Sequence, residues 1–499
     1  MSFYRFWQRR SKKDSFNQEL LGIDLFSQLS YMSAIATAGV SRAQMFDYAS
    51  RLPYVSSRYF RDIHLLAQKL NYDYAEACRM VGEKTEEEEV KGLLLRLSGS
   101  LSSGEPEEDF LAREAQAMGE SYGNTYERKL ESLKKWTDAY AALVVSAALI
   151  IIVAVISMMI YQVGTAFIMG LAGLMTVATI AGSWVIYRTA PKEVKTHSLA
   201  TGSREQQLAR SLFKICLPLA LIICALLFML RVDIGWIMVL GGVCLVPIGL
   251  SSLWDDRKID KRDRDIAAFL RTLGGVTKAI GSTVTEALTR IDLRSTGSLL
   301  PDVKKLLVRL SSGIRPDLCW QQFVAESGSE QVQRTVHIFW DGISLGGDPE
   351  QVGSRASLYA MKIALLRAKR KLVSATFGWL SIAMHGAIAG LLVFILEIMT
   401  LFGKTIEEMQ PAEGSKSLIH LPATGLFTFH FEGLQLLRWL VMVVLVILAG
   451  ANAFASKAAD GGHTHKLFCY LGIMLAISGG CLLVVPKLAA MIFHLAPGM

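Results

Sequence analysis

Two stretches of the chain carry the residue types of a reacting or phosphate-holding loop. Ser102 to Leu111 reads "SSGEPEEDFL", and Leu345 to Ser354 reads "LGGDPEQVGS". In each a glycine is followed by an acid, a proline and a glutamate, and positions 104 and 347 are 243 apart. A phosphate cradle uses several glycine amides and a cation; the acids here would repel phosphate. Helix-end chemistry accounts for the same residues better. A glycine closes one helix in the left-handed conformation, the acid caps the next, the proline takes its first turn, and the following glutamate meets the positive helix end. Gly104, Pro106, Gly347 and Pro349 are therefore expected to form joints between helices, with Gly346 or Gly347 taking the left-handed turn in the second.

The other chemical candidates are also better explained without catalysis. "FGKT" (Phe402 to Thr405) has the end of a nucleotide-binding loop but lacks the glycine five residues upstream. His463 and His465 in "GGHTHK" have no further ligands nearby, and zinc takes three or four. The seven cysteines form no Cys-x-x-Cys pair, and most lie in apolar segments, as small core residues do. His385 sits in an apolar stretch with Gly386 and Gly390 beside it. A proton relay there would need acids at matching depth. The expected role is a neutral histidine bonded to a neighbouring helix, with the two glycines allowing close helix contact in the bundle or across a dimer. No enzyme activity and no cofactor are expected.

The elements that hold these residues are unusually apolar. The 499 residues are 52% hydrophobic with a mean hydropathy of +0.36. A membrane core is spanned by roughly 20 mostly apolar residues in a helix. Seven such stretches occur. They form a first hairpin within 138–187, a second within 212–254, and three more spans in 376–499, the last block including an external loop at 403–433. The 188–211 connection is basic, with Arg188, Lys192, Lys195, Arg204 and Arg210 against two acids, whereas 403–433 is acidic. By the positive-inside bias the N-terminus is cytoplasmic and the C-terminus external. No signal peptide is expected, since "MSFYRFWQRRSKKD" runs into polar amphipathic sequence.

Two polar blocks remain, 1–137 and 255–375, each running into a membrane segment. Apolar residues recur in both at three- and four-residue intervals, as in "FSQLSYMSAIATAGV" and "FLRTLGGVTKAIGSTV". Val40 pairs with Val284, Asn71 with Gly313 and Trp136 with Trp379 at offsets of 242 to 244, the mark of a duplicated unit. The expected fold is an all-α integral membrane protein with about seven transmembrane helices and two duplicated cytoplasmic helical bundles.

At these residues the chain resembles the type II secretion system F domain superfamily. Within it, "DLFSQLSYMSAIATAGVSRAQMFDYAS" and "LNYDYAEACRMV" followed by "LSGSLSSGEPEEDFLAREA" are most similar to the platform proteins of the archaellum and of archaeal type IV pili. The resemblance implies a multi-pass cell-membrane scaffold, dimeric, that couples a hexameric cytoplasmic secretion ATPase to insertion of pilin- or archaellin-like subunits into a filament. A transporter or channel is the rival class. It would bring polar groups together at mid-membrane, where the spans hold little beyond Ser, Thr, His385 and Asn452.

Charge suggests where partners would bind. Residues 255–375 hold 20 Lys and Arg against 14 Asp and Glu, while 1–137 is near balance at 19 against 20. Arg367, Lys369, Arg370 and Lys371 in "RAKRK" would anchor at anionic lipid headgroups or dock an acidic face of the ATPase. In "TEEEEV", Thr85 and Glu88 are expected to form a capping box, with Glu86, Glu87, Glu88 and Glu89 as a solvated helix start or a contact for a basic partner. Nucleic acid is not an expected partner, because the net charge of +8 lies largely beside membrane segments.

Overall fold

The structure, a computed structural model, describes residues 2–160, 165–197, 204–409 and 434–494. Its helices in chain order are α1 (Ser2–Ala36), α2 (Arg42–Arg51), α3 (Ser57–Leu70), α4 (Tyr74–Lys84), α5 (Glu88–Ser103), α6 (Glu107–Ile160), α7 (Thr165–Thr189), α8 (Arg204–Met229) and α9 (Ile234–Ile280). They continue as α10 (Val284–Arg290), a 3-10 turn Leu293–Leu299, α11 (Leu300–Ser311), α12 (Pro316–Ser327), α13 (Glu330–Ser344), α14 (Pro349–Met409), α15 (Leu434–Asp460) and α16 (Lys466–His494). Among the described residues seven helices, α6 to α9 and α14 to α16, are long and apolar enough to cross a membrane, and there is no β-strand beyond one isolated bridge. The fold is that of an all-α polytopic membrane protein. Most of the expected external loop at 403–433 lies outside the described residues; its first seven continue α14, which places "FGKT" on a helix.

The residues divide into two compact units. The first comprises 1–128, 191–207 and 254–369, and the second 129–190, 208–253 and 370–499.

In the first unit the duplication is visible helix by helix. The starts of α2 and α10, α4 and α12, α5 and α13, and α6 and α14 are each 242 residues apart, and those of α3 and α11 are 243 apart. Residues with positive φ keep the same spacing: Gly39 with Gly281, Asn71 with Gly313, and Gly104 with Gly346. The register expected from sequence shifts slightly. Ser41 and Thr283 are the equivalent N-caps, so Val284 answers to Arg42 rather than Val40, and Gly104 answers to Gly346 rather than Gly347.

The second helix joint behaves as capping chemistry requires, and the first shares its left-handed glycine. Gly104 and Gly346 take φ of 73° and 94°, a conformation that costs a side-chain-bearing residue about 1–2 kcal/mol. The Asp348 carboxylate accepts from the amides of Glu350 at 3.0 Å and Gln351 at 3.2 Å, and Pro349 opens α14. Gly347 serves close approach instead, since a Cβ there would lie 2.5 Å from Thr37 Oγ1 and 2.7 Å from Gly342 O. In the first copy Pro106 lies one residue before α6, and its carbonyl accepts from Phe110.

The two copies do not form separate bundles. One apolar core contains Leu25, Leu29 and Phe60 from the first copy and Leu270, Phe323 and Phe339 from the second. The rings of Phe26 and Tyr359 meet at 5.0 Å. Around this core run polar ties between copies: Arg334 to Asp24 at 2.7 Å, Tyr31 to Asp341 at 3.1 Å and Arg355 to Glu108 at 2.7 Å. Each copy thus completes the burial of the other, which explains why α1 and α13 pack together across 300 residues of sequence.

In the second unit helix contact relies on glycine. Gly235, Gly242 and Gly249 recur every seven residues on α9 and face Gly479, Gly472 and Cys469 on α16. A Cβ on Gly242 would stand 2.5 Å from the carbonyl oxygen of Gly472, and one on Gly479 would stand 2.5 Å from that of Gly235. With no hydrophobic drive between helices in lipid, close backbone packing of this kind supplies the association. Gly386 and Gly390, singled out from sequence, also face α16, at ordinary distances of 3.5 Å to Ile477 and 3.9 Å to Cys481. Gly242→Val is expected to destabilise the detergent-solubilised protein by at least about 1–3 kcal/mol. Gly480→Ala, which meets nothing within 4 Å, should leave thermal unfolding unchanged.

Candidate functional site

The strongest concentration of buried charge surrounds a short strap, residues 191–197, that belongs to the first unit. Pro191, two residues after α7, has no amide hydrogen to continue a helix, and residues 191–197 are not helical. The strap is held through its backbone. Glu330 N donates to Lys195 O at 3.1 Å, Arg367 Nη2 donates to Val194 O at 3.2 Å, and Thr196 bridges antiparallel to Ser329. His197 Nε2 lies 3.2 Å from Ala325 O.

Side chains lock it further. Lys195 Nζ pairs with Asp256 at 2.8 Å and Asp260 at 2.5 Å. Arg367 Nη1 pairs with Asp263 at 2.5 Å and donates to Gln331 Oε1 at 3.2 Å, and its Nε lies 3.6 Å from Glu193. Ser329 Oγ, the N-cap of α13, donates to the other oxygen of Asp263, while Tyr126 OH donates to Glu193 at 3.2 Å. The cluster therefore contains four carboxylates and two cations. Burial alone would lower Lys195, but Asp256 and Asp260 outweigh it and hold its ammonium protonated well above the ordinary lysine range. Burial raises the Asp263 carboxyl above its ordinary value, against the opposing pull of Arg367.

This arrangement corrects the expectation of one basic docking face at Arg367, Lys369, Arg370 and Lys371. Arg367 and Arg370 are 8% and 4% exposed. Arg367 belongs to the cluster just described. Arg370, in the second unit, donates to the carbonyls of Ala459 at 3.1 Å and Ala458 at 3.2 Å and so caps the C-terminal end of α15. Lys369 and Lys371 are exposed, Lys369 in a surface pair with Glu127 at 2.7 Å.

The acidic stretch is rearranged too. Thr85 ends α4, donating to Val81 O at 2.7 Å, so it does not form a capping box with Glu88. Helix α5 begins at Glu88 after Glu87, whose side chain makes no cap bond. Glu86, Glu88 and Glu89 are exposed and Glu87 half-buried.

Within the second unit His385 joins a buried polar chain. Tyr140 OH donates to Asn452 Oδ1 at 2.6 Å, and Asn452 Nδ2 lies 3.3 Å from His385 Nδ1. His385 Nε2 lies 2.8 Å from Ser478 Oγ and 3.1 Å from Met474 O. This pattern suits a neutral ring that accepts at Nδ1 and donates at Nε2, and it ties α6, α14, α15 and α16 together. His463 and His465 place their Nδ1 atoms 3.1 Å apart, and among the described residues no cluster of three or more His, Cys, Asp or Glu could hold a metal.

Sequence reasoning missed the carboxylates of the cluster and the glycine rail. Asp256, Asp260 and Asp263 follow a helical spacing on α9 that could have marked one face, and Gly235, Gly242 and Gly249 keep a seven-residue repeat. Arg367→Met would leave Glu193 and Asp263 buried without their cation, and an expected loss of about 3–5 kcal/mol should appear in denaturant unfolding of the solubilised protein. Lys369→Met should unfold as the parent does, because its pair with Glu127 is exposed.

Comparison with known proteins places this architecture beside two relatives. The chain is 24% identical over 412 residues to flagella accessory protein J of Methanocaldococcus jannaschii, covering 80% of this chain and 72% of that protein. It is 22% identical over 433 residues to flagella accessory protein J of Methanococcus voltae, covering 84% and 76%. No family model and no solved structure matches the chain, so the secretion F domain resemblance has no such match behind it. The polytopic helical protein described above is thus similar, over most of its length, to two flagella accessory proteins.

Proposed function

We propose that the chain is the membrane platform of a filament-assembly machine of the archaellum or archaeal type IV pilus kind. The observation that carries this reading is similarity to two flagella accessory proteins across four-fifths of the chain. The architecture supports it. A platform must join a polar, partner-facing body to a set of membrane helices, and α6, α9 and α14 each supply residues to both units.

In this reading the polar unit lies in the cytoplasm and receives a hexameric secretion ATPase, which performs the chemistry. The spans present an apolar surface on which a pilin- or archaellin-like subunit leaves the bilayer. The protein acts as a homodimer in the cell membrane, with its C-terminus outside. The buried cluster at Arg367 would hold the strap between the two membrane hairpins in place while the ATPase cycles, so that a displacement is passed on and not absorbed by a loose linker.

Two experiments test this. Deletion of the gene should abolish surface filaments, and normal filaments in the deletion strain would refute the platform reading. Purification of the tagged protein from gently solubilised membranes should recover a secretion ATPase. If the exposed lysines contribute, Lys369→Glu and, separately, Lys371→Glu should each reduce that recovery by a salt-sensitive amount without loss of membrane insertion.

A further inference from the structure

The duplication supplies an internal comparison for one surface. On the first copy, α3, α4 and the turn into α5 enclose an open cleft of about 900 Å3. Its apolar wall includes Leu65, Leu66, Leu70 and Met80, with Leu65 and Leu70 41% and 62% exposed. Arg58, Asp62, Lys69, Lys84 and Glu86 line its edges.

The second copy has the same helices but places an ion cluster at the equivalent positions. By the offsets of 243 for α3 and 242 for α4, Leu66 answers to Arg309, Asp62 to Lys305, Met80 to Gln322 and Lys84 to Glu326. Glu326 gathers all three partners: Arg309 at 2.5 Å, Lys305 at 3.5 Å and Gln322 at 3.1 Å. In the first copy, two of those four polar positions are apolar. Asp62 and Lys84, which could form the reversed pair, are not within ion-pair distance. One copy thus keeps a cleft with an apolar wall where its twin carries an ion clamp.

We infer that this cleft on the first copy docks a basic amphipathic helix of a partner protein. Leucine-type anchors at three- and four-residue spacing would enter between α3 and α4 and cover Leu65, Leu66, Leu70 and Met80, as in other helix-in-groove interfaces. The choice of a basic helix follows from charge. Among the described residues Glu86 and Glu89 have no ion-pair partner and Glu88 has only Lys91 at 3.9 Å; all three are exposed around the start of α5, where Glu86 lines the cleft. Lysines or arginines at one end of the docked helix would meet those carboxylates and the positive-to-negative order would fix its direction. The inference goes beyond the platform reading, because it stands whether or not the chain builds a filament.

The full-length protein in zwitterionic nanodiscs provides the test. The probe is a fluorescent amphipathic peptide of about 18 residues built from leucine and lysine, and its isomer with glutamate for lysine is the control. The parent should bind the basic peptide at least about tenfold more tightly than the acidic one. Transplanting the clamp of the second copy, as D62K, L66R, M80Q and K84E together, should remove that binding. Glu86→Gln with Glu89→Gln should weaken it and flatten its salt dependence. Photo-crosslinking from a leucine position of the peptide should label Leu65 or Leu70 in the parent, which decides the question even if the clamp variant fails to fold. Equal affinity for both peptides, crosslinks elsewhere, equal binding to empty nanodiscs, or a clamp variant that changes only the oligomeric state would each overturn the inference, the last by seating a second copy of the chain there.

Discussion

The guanidinium of Arg367 is the interaction on which most of the polar unit depends. A cation that is only 8% exposed is tolerable when carboxylates and carbonyls surround it. Asp263, Gln331, Glu193 and Val194 do so, drawing together α9, α13, α14 and the strap. Lys195 repeats the device one step along the strap with Asp256 and Asp260. Pairs of this kind contribute less to net stability than to uniqueness, since any other placement of the strap would leave several charges buried without partners. The strap at 191–197 is thereby held in one conformation against the helices that carry the duplicated fold.

The duplication explains both the economy and the asymmetry of that unit. Equivalent helices begin 242 or 243 residues apart, and equivalent left-handed residues close them, yet neither copy buries its apolar face alone. Asp24 with Arg334 and Glu108 with Arg355 cross between copies, so the pair must fold as one body. Once stability is shared in this way the copies are free to differ on their outer faces. The second ties α11 to α12 through Glu326; the first leaves Leu66 and Met80 in a cleft beside exposed glutamates.

The spans follow a different logic. Water does not drive helices together in lipid, so α9 and α16 meet through glycine backbones, and a single polar chain from Tyr140 through Asn452 and His385 to Ser478 links four helices. Each group in that chain has a hydrogen-bond partner, which is the condition for polar residues to persist at membrane depth.

Much of this was legible in the sequence. Hydropathy marks seven spans because twenty apolar residues in a row have few other uses, and the Gly-acid-Pro-Glu joints reveal the repeat because helix ends are set by local chemistry: a left-handed glycine, a capping acid and a proline act within four residues of one another. Sequence proximity misled where partners are distant. Arg367 and Arg370 look like neighbours of Lys369 and Lys371 on one basic face. On a helix, however, Lys369 points away from Arg367 and Arg370, and whether a charge is paired depends on Asp263, 104 residues away, or on Ala459, 89 away. Thr85 looked like a cap for the helix after it and is the end of the helix before it. The sequence by itself determined helix type, membrane spans and the repeat, since these follow from periodicity and from contacts a few residues apart. Only the tertiary structure decided which charges are buried, which glycines face a backbone and which copy ties its paired helices with an ion clamp, because those depend on what another part of the chain brings into contact.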